Sequence, residues 1–167
     1  MKRRTFVSAA AAGLAVPAAP GLAPGDVYLD AVRGLFGDWR RKDVEAVLGR
    51  VTDDIVWYSH VGTPPKVGKE QMRAFLVPLA AAISDVKWRI FAWAVSGPRV
   101  FLEGADDFVL TAEKRHVALP YMGVLAFRGP LISEWRDYFD RALFDRLKAG
   151  EPLPPELARL VDRPGIF

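Results

Sequence analysis

The sequence predicts an α+β fold in which N-terminal helices pack in a strongly curved antiparallel sheet, a cone-shaped α+β barrel. Three observations carry this. Up to about residue 82, apolar residues recur at three- and four-residue steps, interrupted by one strand-like run. After Ser84 the pattern changes to long runs with a period of two, joined by short turns such as Ser96-Gly97-Pro98 and Gly129-Pro130. The chain has 167 residues, of which 51% are hydrophobic and 26% charged, the proportions of one ordinary globular domain.

Residues 1–23 read as an address. Lys2, Arg3 and Arg4 precede Thr5-Phe6-Val7, and the stretch to Ala23 continues without charge. A basic start, a short apolar run and small residues near the exit make a signal peptide. The paired arginines followed by x-Phe-Val resemble the twin-arginine export signal of bacteria, so the mature protein is expected in the periplasm. Cleavage after Ala18, Ala19 or Ala23 fits equally. The run is broken by Pro17 and Pro20 and falls short of the ~20 residues of a membrane span.

In the body, Val27, Leu29, Val32, Leu35, Phe36 and Trp39 form the apolar stripe of a first helix over 26–39. Asp43 can cap a second, whose buried side is Val44, Val47, Leu48 and Val51. Asp53-Asp54 ends the helical pattern, and 55–61 is β-branched and aromatic enough for a strand, closed by Gly62-Thr63-Pro64-Pro65. Gly68-Lys69-Glu70 opens a third helix to about residue 82, with a bend expected at Pro78. Four strands follow at 86–95, 99–110, 116–128 and 131–139, and then a helix at 141–148. The tail carries Pro152, Pro154, Pro155 and Pro164 and reads as an arm with one helical turn near Leu157. The expected organisation is a signal segment at 1–23, one domain at 24–149 and a Pro-rich arm at 150–167.

Composition removes several function classes. Of the 23 Lys and Arg, three are Lys2, Arg3 and Arg4, which leaves 20 against 20 Asp and Glu. A neutral body lacks the field that gathers phosphates, so no nucleic-acid partner is expected. With no Cys, and only His60 and His116, there is no thiol nucleophile, disulfide or histidine-rich metal cage. Without a Gly-rich phosphate loop, no metal, nucleotide or flavin cofactor is expected. The chemistry falls to oxygen acids, aromatics and at most two imidazoles.

A sheet wrapped around helices leaves a pocket, and strand periodicity says which polar groups could enter it. Leu102, Gly104 and Asp106 share one face of their strand, and Glu103, Ala105 and Asp107 the other. On the last strand Asp137 lies on the face of Trp135 and Phe139, opposite Glu134, Arg136 and Tyr138. A carboxylate between aromatics is desolvated and has the raised pKa of an acid or base working near neutral pH. If Asp106 faces inward as well, the cavity holds two acids, an acid/base pair in outline. The alternative is structural pairing with Arg136 or Arg89. His60 sits at a strand end as a rim residue, and His116 at a hairpin reads as solvent-facing. Tyr58, Tyr121 and Met122 either line the pocket or fill core. Phe91, Trp93 and Val95, on the face opposite Trp88 and Ile90, offer an apolar surface for a homodimer.

The segment Trp135-Arg136-Asp137-Tyr138-Phe139-Asp140, preceded by Gly123-Val124-Leu125 and Leu131-Ile132, resembles the limonene-1,2-epoxide hydrolases. These lie within the nuclear transport factor 2-like fold, which also holds ketosteroid isomerase and the SnoaL-like polyketide cyclases. The resemblance runs from about residue 26 to residue 144. It implies a cofactor-independent enzyme acting on a hydrophobic small molecule, with Asp137 activating a water that attacks an epoxide and Asp106 protonating the epoxide oxygen. The hydrolases' bridging arginine falls on Gly104. Their water-holding Tyr and Asn fall on Trp57 and Ser59, or on Tyr58 and His60. Trp57, Tyr58, Ser59, His60, Tyr121, Met122, Trp135 and Phe139 are the implied substrate-binding set. The proton-shuttling Asp of ketosteroid isomerase falls on Ser59, which argues against that activity. A SnoaL-like cyclase, lyase or isomerase needs one acid/base, which Asp137 could supply with His60 or His116. A non-catalytic carrier of an apolar ligand is the third class.

Overall fold

The computed structural model describes residues 24–166, with side chains from Val27 onward, so the export segment expected at 1–23 lies outside the described residues. Helix α1 (Pro24–Arg40) turns Leu29, Val32, Leu35, Phe36 and Trp39 into the core, as the helical period of its apolar residues requires. Asp43 caps α2 (Val44–Gly49), its carboxylate accepting the Ala46 N–H at 3.0 Å. The buried Asp38 of α1 accepts from Arg41 and from Arg50, which pins the helix hairpin to the strand that follows.

That strand, β1 (Val51–Tyr58), starts four residues before the predicted one and takes Val51 from the expected helix. Asp53 and Asp54 do not break the chain. Both point to solvent, where Asp53 meets Lys69 at 2.8 Å and Asp54 meets Arg128 at 3.0 Å. Next come β2 (Lys66–Val67), α3 (Gly68–Ala82) and β3 (Ile83–Ser84). Gly68 supplies the positive φ of +79° at the turn into α3, which continues through Pro78. The remaining elements are β4 (Arg89–Ser96), β5 (Arg99–Leu110), β6 (Arg115–Arg128), β7 (Leu131–Tyr138), α4 (Arg141–Ala149) and α5 (Pro155–Asp162).

The strands form one sheet in the order β2-β1-β7-β6-β5-β3, with β4 also on β5. Its curled surface wraps the apolar faces of the helices. All pairs are antiparallel except β1 with β7, which is parallel. No hairpin joins those two strands, so nothing forces them to run in opposite directions.

The apolar stripe expected on the outer surface fails for a local reason. Ile90 faces Gly104 while Ala92 faces Glu103, so Phe91 is an extra residue, a β-bulge. Beyond it Trp93 lies opposite Leu102 and Val95 opposite Val100, and directly paired residues share a face. Trp93 and Val95 are therefore on the side of Ile90, not opposite it, and the predicted stripe Phe91-Trp93-Val95 does not exist. Phe91 is buried, with the Arg163 guanidinium 4.3 Å from its ring centroid. The exposed apolar residues of the outer face are instead Phe101, Met122 and Tyr138, the last two cross-strand partners.

The C-terminal arm is more ordered than one helical turn. α5 sends Leu157 into the core, and the Ile166 N–H donates to the Ile90 carbonyl at 2.7 Å. Arg163 also reaches Glu103 at 3.4 Å, so the tail straps the bulged edge of the sheet. Among the described residues no helix is long and apolar enough to cross a membrane.

Candidate active site

On β5, strand alternation sends neighbouring acids to opposite sides. Asp107 faces outward and is fully engaged, accepting from Arg89 at 2.9 Å and pairing with the His116 Nε2 at 2.7 Å. Asp106 faces a cavity of about 370 Å³ enclosed between sheet and helices. The arginine pairing considered for Asp106 and Asp137 belongs to other residues: Arg89 holds Asp107, and Arg136 holds Glu134 on the outer face. His116, expected to face solvent, is half exposed but tied to Asp107, and it is not part of the cavity wall.

Asp137 enters the same cavity from β7 and accepts three hydrogen bonds. Tyr121 Oη donates to its Oδ1 at 2.9 Å, Trp135 Nε1 to the same oxygen at 2.6 Å, and Trp57 Nε1 to Oδ2 at 2.9 Å. The donors are neutral, and no described cation pairs with it. Gly123 lies directly across from Asp137 in the β6–β7 ladder, and a Cβ there would overlap the Tyr121 hydroxyl. The glycine of Gly123-Val124-Leu125 thus makes the room in which the phenol reaches the carboxylate.

Burial raises the Asp137 pKa to about 7, outweighing the three donors that act the other way. Burial, then the charges of Asp137 and Asp107, raises Asp106 to about 7. Tyr121 is pushed well above its ordinary value by burial and by Asp137, so it remains a donor. The charge on Asp137 adds to the rise of Asp106, so ionising both at once is disfavoured. Hydrogen-bond chemistry tells the two apart. Asp137 is surrounded by donors suited to an acceptor-only carboxylate, whereas Asp106 Oδ1 is buried with no partner. The donors around Asp137 suit it to carry the charge, and the bare oxygen of Asp106 suits it to hold the proton.

Of the expected substrate-binding residues, Trp57, Ser59, His60, Tyr121, Trp135 and Phe139 line this cavity. Tyr58 and Met122 do not. Alternation turns Tyr58 to the outer face, where the Arg136 guanidinium lies 5.1 Å from its ring centroid, and Met122 is 55% exposed there. Of the two placements for the water-holding pair, the inward one is therefore Trp57 with Ser59, but Trp57 spends its N–H on Asp137 itself. Sequence reasoning missed Trp88, Lys66, Phe75 and Arg141 in the wall. Trp88 carried a signal, the alternation it shares with Ile90. Lys66, after two prolines, carried none. Among the described residues no cluster of His, Asp and Glu has the makings of a metal site.

A strongly curled sheet wrapped around helices in this order is the nuclear transport factor 2-like fold. Within it, the SnoaL-like domain matches residues 32–135, and the chain belongs to that family. Solved structures agree on the fold. An NTF2-like protein of unknown function from Burkholderia pseudomallei superimposes with a TM-score of 0.67 at 21% identity, over 74% of this chain and 98% of that one. An LEH-like epoxide hydrolase from M. tuberculosis gives 0.65 at 23% identity, over 83% and 98%. A putative polyketide cyclase from Xanthomonas campestris gives 0.68 at 16% identity, over 74% and 97%. No curated protein matches the sequence.

Proposed function

We propose that the chain is a cofactor-independent acid/base enzyme that adds water to a hydrophobic epoxide, with Asp137 as base and Asp106 as acid. The observation that carries this reading is the pair of carboxyls in one aromatic cavity, one accepting three hydrogen bonds and one with a bare buried oxygen. Oδ2 of Asp137 accepts only from Trp57 and keeps a lone pair for a water proton. As the water oxygen bonds to the epoxide carbon, Asp137 takes its proton, the C–O bond breaks, and Asp106 gives its proton to the departing oxygen. The product is a diol, and return of the proton from Asp137 to Asp106 resets the pair. The M. tuberculosis epoxide hydrolase among the structural relatives supports this chemistry on the scaffold.

A second reading, a cyclase or isomerase that moves a substrate proton without adding water, has its own support. Trp57, expected to help hold the water, donates its N–H to Asp137 itself, Ser59 is engaged by Lys66, and position 104 holds no bridging arginine. The putative polyketide cyclase among the relatives agrees with it.

Incubating the protein from Pro24 onward with terpene and aryl epoxides in oxygen-18 water separates the two. Labelled diol is expected, and Asp137→Asn is expected to lower kcat/KM by about 100-fold or more. Turnover without label favours the second reading, and full turnover by Asp137→Asn removes Asp137 from both.

We further propose a homodimer through the outer face of the sheet, now built on Phe101, Met122 and Tyr138. A charge placed in that patch should split it: Met122→Glu is expected to halve the mass measured by light scattering. A parent that is already monomeric at micromolar concentration excludes the interface.

A further inference from the structure

The cavity has a closed end and an open end. Asp137, Trp57, Trp135 and Tyr121 are buried, whereas Ser59, His60, Lys66 and Phe139 are half-buried and Thr63 and Arg141 are exposed, which places the mouth among the latter group. At that mouth stands Lys66. Its Nζ donates to Ser59 Oγ at 2.7 Å and lies 4.3 Å from the Phe75 ring centroid and 5.7 Å from that of Trp57. Neighbouring lysines are matched, Lys69 to Asp53 and Lys42 to the Ile83 carbonyl, but no described carboxylate lies within ion-pair distance of Lys66. Arg141, the other cation of the wall, is held by Asp145 at 2.9 Å. In the same mouth, His60 Nδ1 is buried without a hydrogen-bond partner.

A cation drawn down onto two ring faces, with only a neutral hydroxyl for company, has lost water and gained no anion. Its pKa is lowered by burial for that reason. Trp57 divides the cavity: its N–H holds Asp137 on one side, and the ammonium of Lys66 sits over its ring. The space beyond Lys66 therefore begins with an unmatched positive charge and ends at two acids.

On the reading of Asp106 and Asp137 as acid and base, we propose that Lys66 is the anchor for a carboxylate on the substrate. The substrate class is then an amphipathic acid with an apolar body: its carboxylate lies at the mouth on Lys66 and Ser59, and its reactive group lies inward at the acid pair. A neutral terpene would leave the cation unmatched, whereas a carboxylate completes it with a charge-assisted hydrogen bond.

Binding tests this without turnover. Calorimetric titration of the parent with 2-naphthylacetate and with its neutral amide, 2-naphthylacetamide, is expected to show the carboxylate binding about tenfold tighter at low salt. Lys66→Met should erase that preference, bringing the two affinities together, and Lys66→Arg should keep part of it. Equal affinities in the parent, no measurable heat with the carboxylate, or a preference that survives in Lys66→Met overturns the proposal. Lys66→Gln with a parental melting curve guards against a variant that has merely misfolded. Because the readout is affinity, a protein that prefers the acid but opens no epoxide keeps the anchor and rejects the hydrolase.

Discussion

Asp106→Asn is expected to abolish turnover and, at pH 8, to make the folded protein more stable than its parent. The sign follows from linkage. The carboxyl of Asp106 has a pKa of about 7 in the folded chain against an ordinary 3.8, so the folded state holds the proton that the unfolded chain releases. Below about pH 4 both states are protonated, and the residue contributes no difference. As the pH climbs to 7 the unfolded chain ionises first, which favours unfolding. Over that span the penalty grows to about 4 kcal/mol and then stays constant. Asparagine keeps the shape and has no proton to lose, so the penalty vanishes. Urea denaturation at pH 4 and pH 8 reads it directly: the variant should match the parent at pH 4 and exceed it by a few kcal/mol at pH 8. An equal difference at both pH values would mean that Asp106 is ionised in the fold at all of them. Asp137→Asn should behave otherwise at pH 4, losing about 1–3 kcal/mol, because with the amide oxygen kept under Trp135 and Tyr121 the amide nitrogen in place of Oδ2 cannot accept the Trp57 N–H.

The contrast between these two acids marks how far the sequence could be read. Alternation along 101–108 and 132–139 sorted the acids by face, and those faces are the ones the folded sheet uses. Which face is the inner one is a tertiary matter: Asp107 finds Arg89 on β4 and His116 on β6, and no local pattern announces that meeting. The helices were legible because their apolar stripes are long. The start of β1 was not, because Asp53 and Asp54 interrupt the hydrophobic alternation while the strand carries on with both acids paired in solvent. The bulge at Phe91 was invisible for a stronger reason. A period of two is unchanged by an extra residue until the partner strand is known, and then every side chain beyond it changes face. The tail was underestimated because its prolines mask its apolar anchors, the buried Leu157 with Leu153 and Leu160 beside the core, and its one sheet-like bond is made by backbone.

That bulge also bears on the missing arginine. Gly104→Ala is expected to cost about 3 kcal/mol or more, far beyond the usual effect of a methyl group, and Gly104→Arg is expected not to fold. A Cβ at position 104 would collide with the carbonyl oxygen of Arg89 and stand 3.1 Å from Ile90 Cδ1. Backbone, unlike the end of a long side chain, cannot step aside. Arg89 is held at both ends, by its ladder position opposite Ala105 and by its guanidinium on Asp107. Thus the position that carries the bridging arginine in the hydrolases is here closed by the path of β4, and restoring the residue cannot restore the bridge. With no described cation paired to either, Asp106 and Asp137 are organised by burial, by the Asp107 backbone N–H at Asp106 and by the three neutral donors on Asp137. Thermal and urea unfolding of Gly104→Ala tests the steric claim. A variant as stable as the parent would show that β4 can yield, and an arginine at 104 would then be a fair test of whether the acid pair works better with a cation between its members.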